Sequence, residues 1–166
     1  MITSPQTEQQ LPALSVSLDK KDFEILRLLQ ENAKFSVRDI SLKIHLSTTP
    51  THERIKRLEK EGVIKQYVAL LNHRMVKKSI MAICNVTMSE HNKKNAKAFI
   101  DAVAEFDEVI ECYNISGQYD FMLKVIAESV EGYHQFYVNK LSEIKGIGHM
   151  HSIFVMDVIK DTHQVI

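Results

Sequence analysis

Ser47, Thr48, Thr49, His52, Glu53, Arg54, Lys56, Arg57 and Lys60 crowd hydroxyls, an imidazole, a carboxylate and several cations into one short stretch. The chemistry they offer is hydrogen bonding and charge neutralisation. At 100° per residue, Thr49, Glu53, Lys56, Arg57 and Lys60 fall on one stripe with His52 at its margin, and Thr51, Ile55 and Leu58 fall opposite. Such a face suits a DNA major groove. The hydroxyls, the imidazole and Glu53 can reach base edges, Glu53 as an acceptor from cytosine N4, while Lys56, Arg57 and Lys60 can neutralise phosphates. Ser47, Thr48 and Arg54 complete the candidate contact set. A charge run alone fits an ordinary solvated face equally well, and support must come from the elements that hold it.

Those elements carry their own punctuation. Ser47 suits an N-cap, Pro50 falls in the first turn where a missing N–H is harmless, and Gly62 supplies a stop. Upstream, Asp19 caps a helix over about 19–31, with Asp22 at the third position for the positive dipole end and Leu18 and Phe23 as a staple. Ser36 caps a second helix over about 37–44, stapled by Phe35 and Ile40. Only His45 and Leu46 separate Ile44 from Ser47, which predicts the tight turn of a helix-turn-helix head on a core of Phe23, Leu26, Leu29, Ile40, Ile44, Leu46, Ile55 and Leu58.

Composition sets bounds on the rest. A chain of 166 residues, 45% apolar and 25% charged, has room for two small domains. Its formal charge is zero, yet the first 72 residues hold 11 Lys/Arg against 9 Asp/Glu and the remainder 10 against 12. DNA affinity would then come from a local patch multiplied by assembly. No apolar run approaches the ~20 residues that span a bilayer, and no secretory signal opens the chain, so a cytoplasmic protein without membrane contact is expected. Residues 1–17 read as a flexible arm. Cys84 and Cys112 sit singly in apolar segments, as reduced core thiols do.

Past Gly62 the period changes. Residues 63–71 are strand-like and, with the polar residues up to 79, form an expected hinge strand and linker over 65–79. From there the pattern predicts strand 80–89, helix 92–105, strands 109–116 and 120–127, helix 130–143 and strand 149–159, a ferredoxin-like βαββαβ domain over 80–166. The fold class is therefore α+β: a three-helix winged or helix-turn-helix domain over 18–64, a hinge strand, and the ferredoxin-like domain. Both helices should cover one sheet face, but Met81, Ile83, Met122 and Ile126 make the other face apolar too. A second subunit packed sheet to sheet would cover it, giving a dimer with two heads.

The remaining constellations are thin. His149 and His151 share one side of a strand, but no nearby Cys or carboxylate completes a metal set, so neither metal nor cofactor is expected. Cys112, Ser116 and Asp120 lack a visible base, and there is no Gly-rich phosphate loop or paired-carboxylate signature, so no enzyme is expected.

The chain resembles the Lrp/AsnC family of feast/famine transcriptional regulators. The matching pieces are Leu18-Asp19, Asp22 and Ile25-Leu26; Leu46-Ser47, Arg54, Arg57-Leu58-Glu59 and Gly62-Val63-Ile64; Tyr67 and Leu70-Leu71-Asn72; and Ser116-Gly117-Gln118-Tyr119-Asp120. The resemblance implies a sequence-specific regulator of double-stranded DNA, dimeric and assembling into octamers, with an amino acid as effector at the junction between dimers. It assigns effector binding to Ser116, Gly117, Gln118, Tyr119, Asp120 and Ser152. Physically the loop suits the task, since Gly117 permits close backbone approach, N–H groups can meet a carboxylate and Asp120 can meet an ammonium. A plain hairpin turn would carry the same residue types. Met150 stands where the family often has Thr, which implies a pocket that is unusually apolar, altered in specificity or unused. The rival reading is a metabolite-binding regulatory subunit whose head docks on a protein, and a small enzyme on the same fold is the further alternative.

Overall fold

The computed structural model describes residues 16–90 and 92–166; the arm expected over 1–17 falls, for residues 1–15, outside them. Three helices come first: α1 Lys20–Glu31, α2 Val37–Lys43 and α3 Thr48–Lys60. Both expected caps at α1 and α2 form as full capping boxes. The Asp19 side chain accepts from Asp22 N–H and the Asp22 side chain accepts from Asp19 N–H; Ser36 and Asp39 repeat the exchange. At α3 the expectation fails in part. Ser47 has N-cap backbone geometry, but its hydroxyl makes no capping bond. Gly62 ends the helix at φ +72°, a left-handed turn that favours glycine.

Ile25, Leu26, Ile40, Ile44, Ile55 and Leu58 form the core of this unit, with Leu29 and Leu46 partly buried against it. Phe23, expected inside, is exposed. On α1 the inward stripe is Asp22, Ile25, Leu26 and Leu29, spaced i, i+3, i+4, i+7, and Phe23 lies beside it.

The second unit contains β1 Ile80–Met88, α4 Lys93–Ala104, β2 Val109–Asn114, β3 Phe121–Ala127, α5 Val130–Asn139 and β4 Ile147–Phe154. The expected βαββαβ order is present, as one antiparallel sheet in the order β2-β3-β1-β4. Ala82, Cys84, Val86 and Met88 of β1 and Phe121, Leu123, Val125 and Ala127 of β3 pack with Phe99 and Val103 of α4 and Tyr133 and Phe136 of α5. The alternation buried, half-buried along β1 and β3 is what one covered face produces. Leu123 faces Cys84 and Cys84 faces Ser152 across the ladders, so Ser152 of β4 lies on the helix side, while Asn85 faces His151 on the opposite side.

Three boundaries differ from expectation. The helix expected to 143 stops at Asn139 and passes into a 3-10 turn over Leu141–Glu143, where Leu141 is buried. The last strand is Ile147–Phe154 rather than 149–159, because its ladder with β1 ends at the Ala82–Phe154 pair. The segment expected as a hinge strand forms no ladder with the described residues: 65–72 is irregular and His73–Val76 is a 3-10 turn. A strand exists through a ladder with a neighbour, and no strand among the described residues forms one with this segment. By compactness, Lys160–Ile166 group with the residues up to Leu70, and Leu71–Ile159 form the other unit. The Gln30 amide anchors that terminal segment, donating to the His163 carbonyl at 2.9 Å and accepting from the Val165 and Ile166 N–H groups.

Candidate nucleic-acid interface and effector site

α3 divides into two sides. Thr51, Ile55 and Leu58 are buried, and the Thr51 hydroxyl donates to the Ser47 carbonyl at 2.9 Å, so this threonine enters the core with its hydroxyl satisfied. Ser47, Thr48, Thr49, His52, Glu53, Lys56 and Lys60 are exposed. Lys56 reaches Glu59 at 3.0 Å, and Tyr67 donates to the same carboxylate at 3.1 Å. Burial, with the Glu59 charge beside it, pushes the Tyr67 phenol up to about 12.

Arg54 and Arg57 are placed differently. Asp22 of α1 is 0% exposed. Arg54 Nη1 donates to its Oδ1 at 2.8 Å and Arg57 Nη2 to its Oδ2 at 2.5 Å, while Asp19 N–H donates to the same Oδ2 at 3.0 Å. Arg54 also bonds Asp19 Oδ2 at 2.7 Å. Both arginines are half-buried and turned toward α1. Burial pushes the Asp22 carboxyl up, but the Asp19 N–H and the two guanidinium groups outweigh it and hold the carboxyl below its ordinary value. The sequence showed Asp22 only as a cap residue. Its second employment was traceable to Arg54 and Arg57, spaced i, i+3 on the flank of the buried stripe.

The loop between β2 and β3 holds Ser116, Gly117, Gln118, Tyr119 and Asp120. Gly117 has φ +114°, open only to glycine, yet nothing lies within 4 Å of where its Cβ would stand. It is there for the turn, with open space beyond it, rather than for a close approach within the chain. The Asp120 backbone closes the loop, its N–H donating to the Val86 carbonyl and its carbonyl accepting from Ile115 N–H. Its side chain accepts from Met88 N–H at 2.7 Å. The carboxylate expected to meet an ammonium thus already clamps the loop to β1. The Tyr119 ring stacks on His151 at 6.4 Å.

Ser152 lines a cavity of about 390 Å³ with Tyr133, Tyr137, Met150, His151 and Phe154. The loop contributes no lining residue but meets this wall where Tyr119 stacks on His151. The Tyr133 hydroxyl donates to Ser152 Oγ at 2.5 Å. Tyr133 was missed by sequence reasoning, although the i, i+4 pair Tyr133 and Tyr137 marked an aromatic helix face. Among the described residues no cluster of three or more His, Cys, Asp and Glu side chains could hold a metal, and no helix is long and apolar enough to cross a membrane.

Comparison with known proteins agrees with this architecture along most of the chain. Residues 18–65 match the winged helix-turn-helix DNA-binding family, and residues 81–165 match the Lrp/AsnC ligand binding domain. The leucine-responsive regulatory protein of Haemophilus influenzae is 35% identical over 147 residues, 89% of each chain. The transcriptional regulator AzlB of Bacillus subtilis is 31% identical over 92% of this chain and 97% of its own. Among solved structures, an AsnC family transcriptional regulator from Agrobacterium tumefaciens superposes with a TM-score of 0.85 at 36% identity, covering 89% of this chain and 96% of that one. A transcriptional regulator from Neisseria meningitidis in complex with L-Met gives 0.84 at 31% identity, covering 89% and 95%. With a helix-turn-helix head, a ferredoxin-like domain and relatives matched along nearly their whole length, this chain belongs to the Lrp/AsnC family of DNA-binding transcriptional regulators.

Proposed function

We propose that this regulator reads double-stranded DNA with the outer side of α3 and answers to a free amino acid. The observation that supports it is the division of α3: Thr51, Ile55 and Leu58 are buried while Thr49, His52, Glu53, Lys56 and Lys60 are exposed. Ser47, Thr48 and Thr49 at the N-terminal end, with His52, take base edges and nearby phosphates, and Glu53 accepts from a base edge such as cytosine N4; Lys56 and Lys60 take the backbone. The reading includes no catalysed reaction.

The effector is taken by residues of the Ser116–Asp120 loop and by Ser152, and an amino acid is the class supported by the L-Met complex of the Neisseria relative. Met150, Tyr137 and Phe154 around Ser152 favour an apolar side chain. The loop adjoins the Ser152 cavity through Tyr119, stacked on His151 of its lining, and a second copy completes the effector site at that edge. The protein works in the cytoplasm as a homodimer packed through the uncovered sheet face, with dimers assembling into an octamer. An effector that prefers one assembly geometry shifts the spacing of the heads and so the operators they bridge.

Selection of duplexes from a random pool by the full chain, with and without each free amino acid, tests this. The expected result is a recovered consensus whose retardation is competed by salt and altered by an apolar amino acid. Recovery of no consensus would overturn the reading of α3, and indifference to all the amino acids would overturn the effector assignment.

A further inference from the structure

We propose that Asp22 is a positioning residue: through Arg54 and Arg57 it sets the rotation of α3 about its own axis, and so decides which α3 side chains meet base edges. The inference rests on the reading that α3 enters the groove.

The geometry argues it. Both oxygens of a carboxylate with no exposed surface are engaged from α3, Oδ1 by Arg54 and Oδ2 by Arg57, and the Asp19 N–H holds the carboxylate in place on α1. Arg54 adds a second anchor to Asp19. Arg54 and Arg57 lie one turn apart on one flank of α3, so two bonds to a single group stop both rolling and sliding. Ile55 and Leu58 cannot do this alone, because apolar burial is non-directional. Guanidinium to carboxylate bonds are directional.

The consequence appears on the neighbouring outer side of the helix. With side chains about 5–6 Å from the axis, a roll of about 20° moves their tips by ~2 Å. Hydrogen bonds to base edges tolerate only about 0.5 Å of spread, so Thr49 and Glu53 would lose their partners while cations on flexible stems would keep theirs. Arg54 and Arg57 therefore serve recognition by holding the helix, and the salt dependence falls to Lys56 and Lys60.

The test uses the full chain, a duplex recovered by the unaltered protein from a random pool, and a scrambled duplex of the same composition, well below the melting temperature. Asp22→Asn and Arg54→Gln should weaken binding to the recovered duplex by about tenfold or more, the cost of one or two base contacts, and to the scrambled duplex by less than about twofold. The salt slope should stay as it was. The double variant should lose no more discrimination than the worse single one, since both act through one linkage. A merely structural role would lower both affinities together and leave their ratio intact, which would overturn the proposal. So would additive losses in the double variant, or an Arg57→Gln variant whose salt slope drops by about one phosphate contact. Should Asp22→Asn not fold, Arg54→Gln carries the test, because it leaves the Asp22–Arg57 bond in place. If the unaltered protein shows no preference between the duplexes, the reading of α3 fails and this inference with it. If Thr49→Ala and Glu53→Ala relax the preference but Asp22→Asn and Arg54→Gln do not, this inference alone fails.

Discussion

Asp22 places a charge where most proteins place a methyl group, and its titration should be visible in the stability of the head. Its native carboxyl is held below the ordinary value, so the folded form binds its proton less readily than the unfolded form. The resulting stabilisation is complete above the unfolded value of about 3.9 and is lost as pH falls through the lower native value. Thermal unfolding followed from pH 6 to pH 2 should therefore show a steeper acid loss for the unaltered chain than for Asp22→Asn. At pH 7 that variant should cost about 1.5–3 kcal/mol, the range for hydrogen bonds to a charged group, tempered here because both arginines keep access to water. A second residue-scale prediction concerns Gly117. At φ +114° an alanine is strained whatever the space around it, so Gly117→Ala should destabilise the loop by about 1–2 kcal/mol and weaken any amino-acid-dependent thermal shift.

At the scale of elements, the capping boxes of α1 and α2 separate helix formation from helix placement. α2 is a short helix, Val37–Lys43, too brief to hold by propensity alone. Ser36 and Asp39 supply its first turn with partners, and the Ser36 hydroxyl with the Ser36 backbone N–H holds the Asp39 carboxyl low. Ser36→Ala should cost about 1 kcal/mol in chemical denaturation. Ser47→Ala should cost little stability, since the Ser47 hydroxyl makes no cap bond, and should act on DNA binding instead. Caps at α1 and α2 were legible in sequence because a cap and its partner lie three residues apart. The end of the last strand was not, because Val155 makes one further bond to β1, at the Met81 carbonyl, and the apolar Met156, Val158 and Ile159 beyond it lie past the end of the ladder. Residues 65–72, strand-like in composition, are irregular, and among the described residues no strand forms a ladder with them.

For the whole molecule, the sheet face turned away from α4 and α5 matters most. Met81, Ile83, Met122 and Ile126 lie half-buried there and Ile153 is exposed, with the Lys124–Glu111 ion pair among them. A face of this kind suits a second copy, whose burial of aliphatic groups contributes about 25 cal/mol per Å². Ile83→Asp should therefore shift the full chain toward monomer in sedimentation velocity and weaken binding to paired half-sites far more than to one half-site, since the loss is of linkage between heads. An unchanged sedimentation coefficient would place the subunit contact elsewhere.

The sequence by itself determined the order of elements, the caps of α1 and α2 and the inward stripe of α3, because each depends on spacing within about a dozen residues, where backbone geometry alone decides who is a neighbour, and the order of such pieces along the chain carried the family resemblance. Only the tertiary structure decided that Arg54 and Arg57 face Asp22 some thirty residues away, that the Asp120 carboxylate clamps Met88, and that Ser152 lies among Tyr133, Tyr137 and Phe154. Those pairings are made by chain segments brought together by burial. A one-dimensional pattern records which side chains want partners, and the packing of the core selects the partners they get.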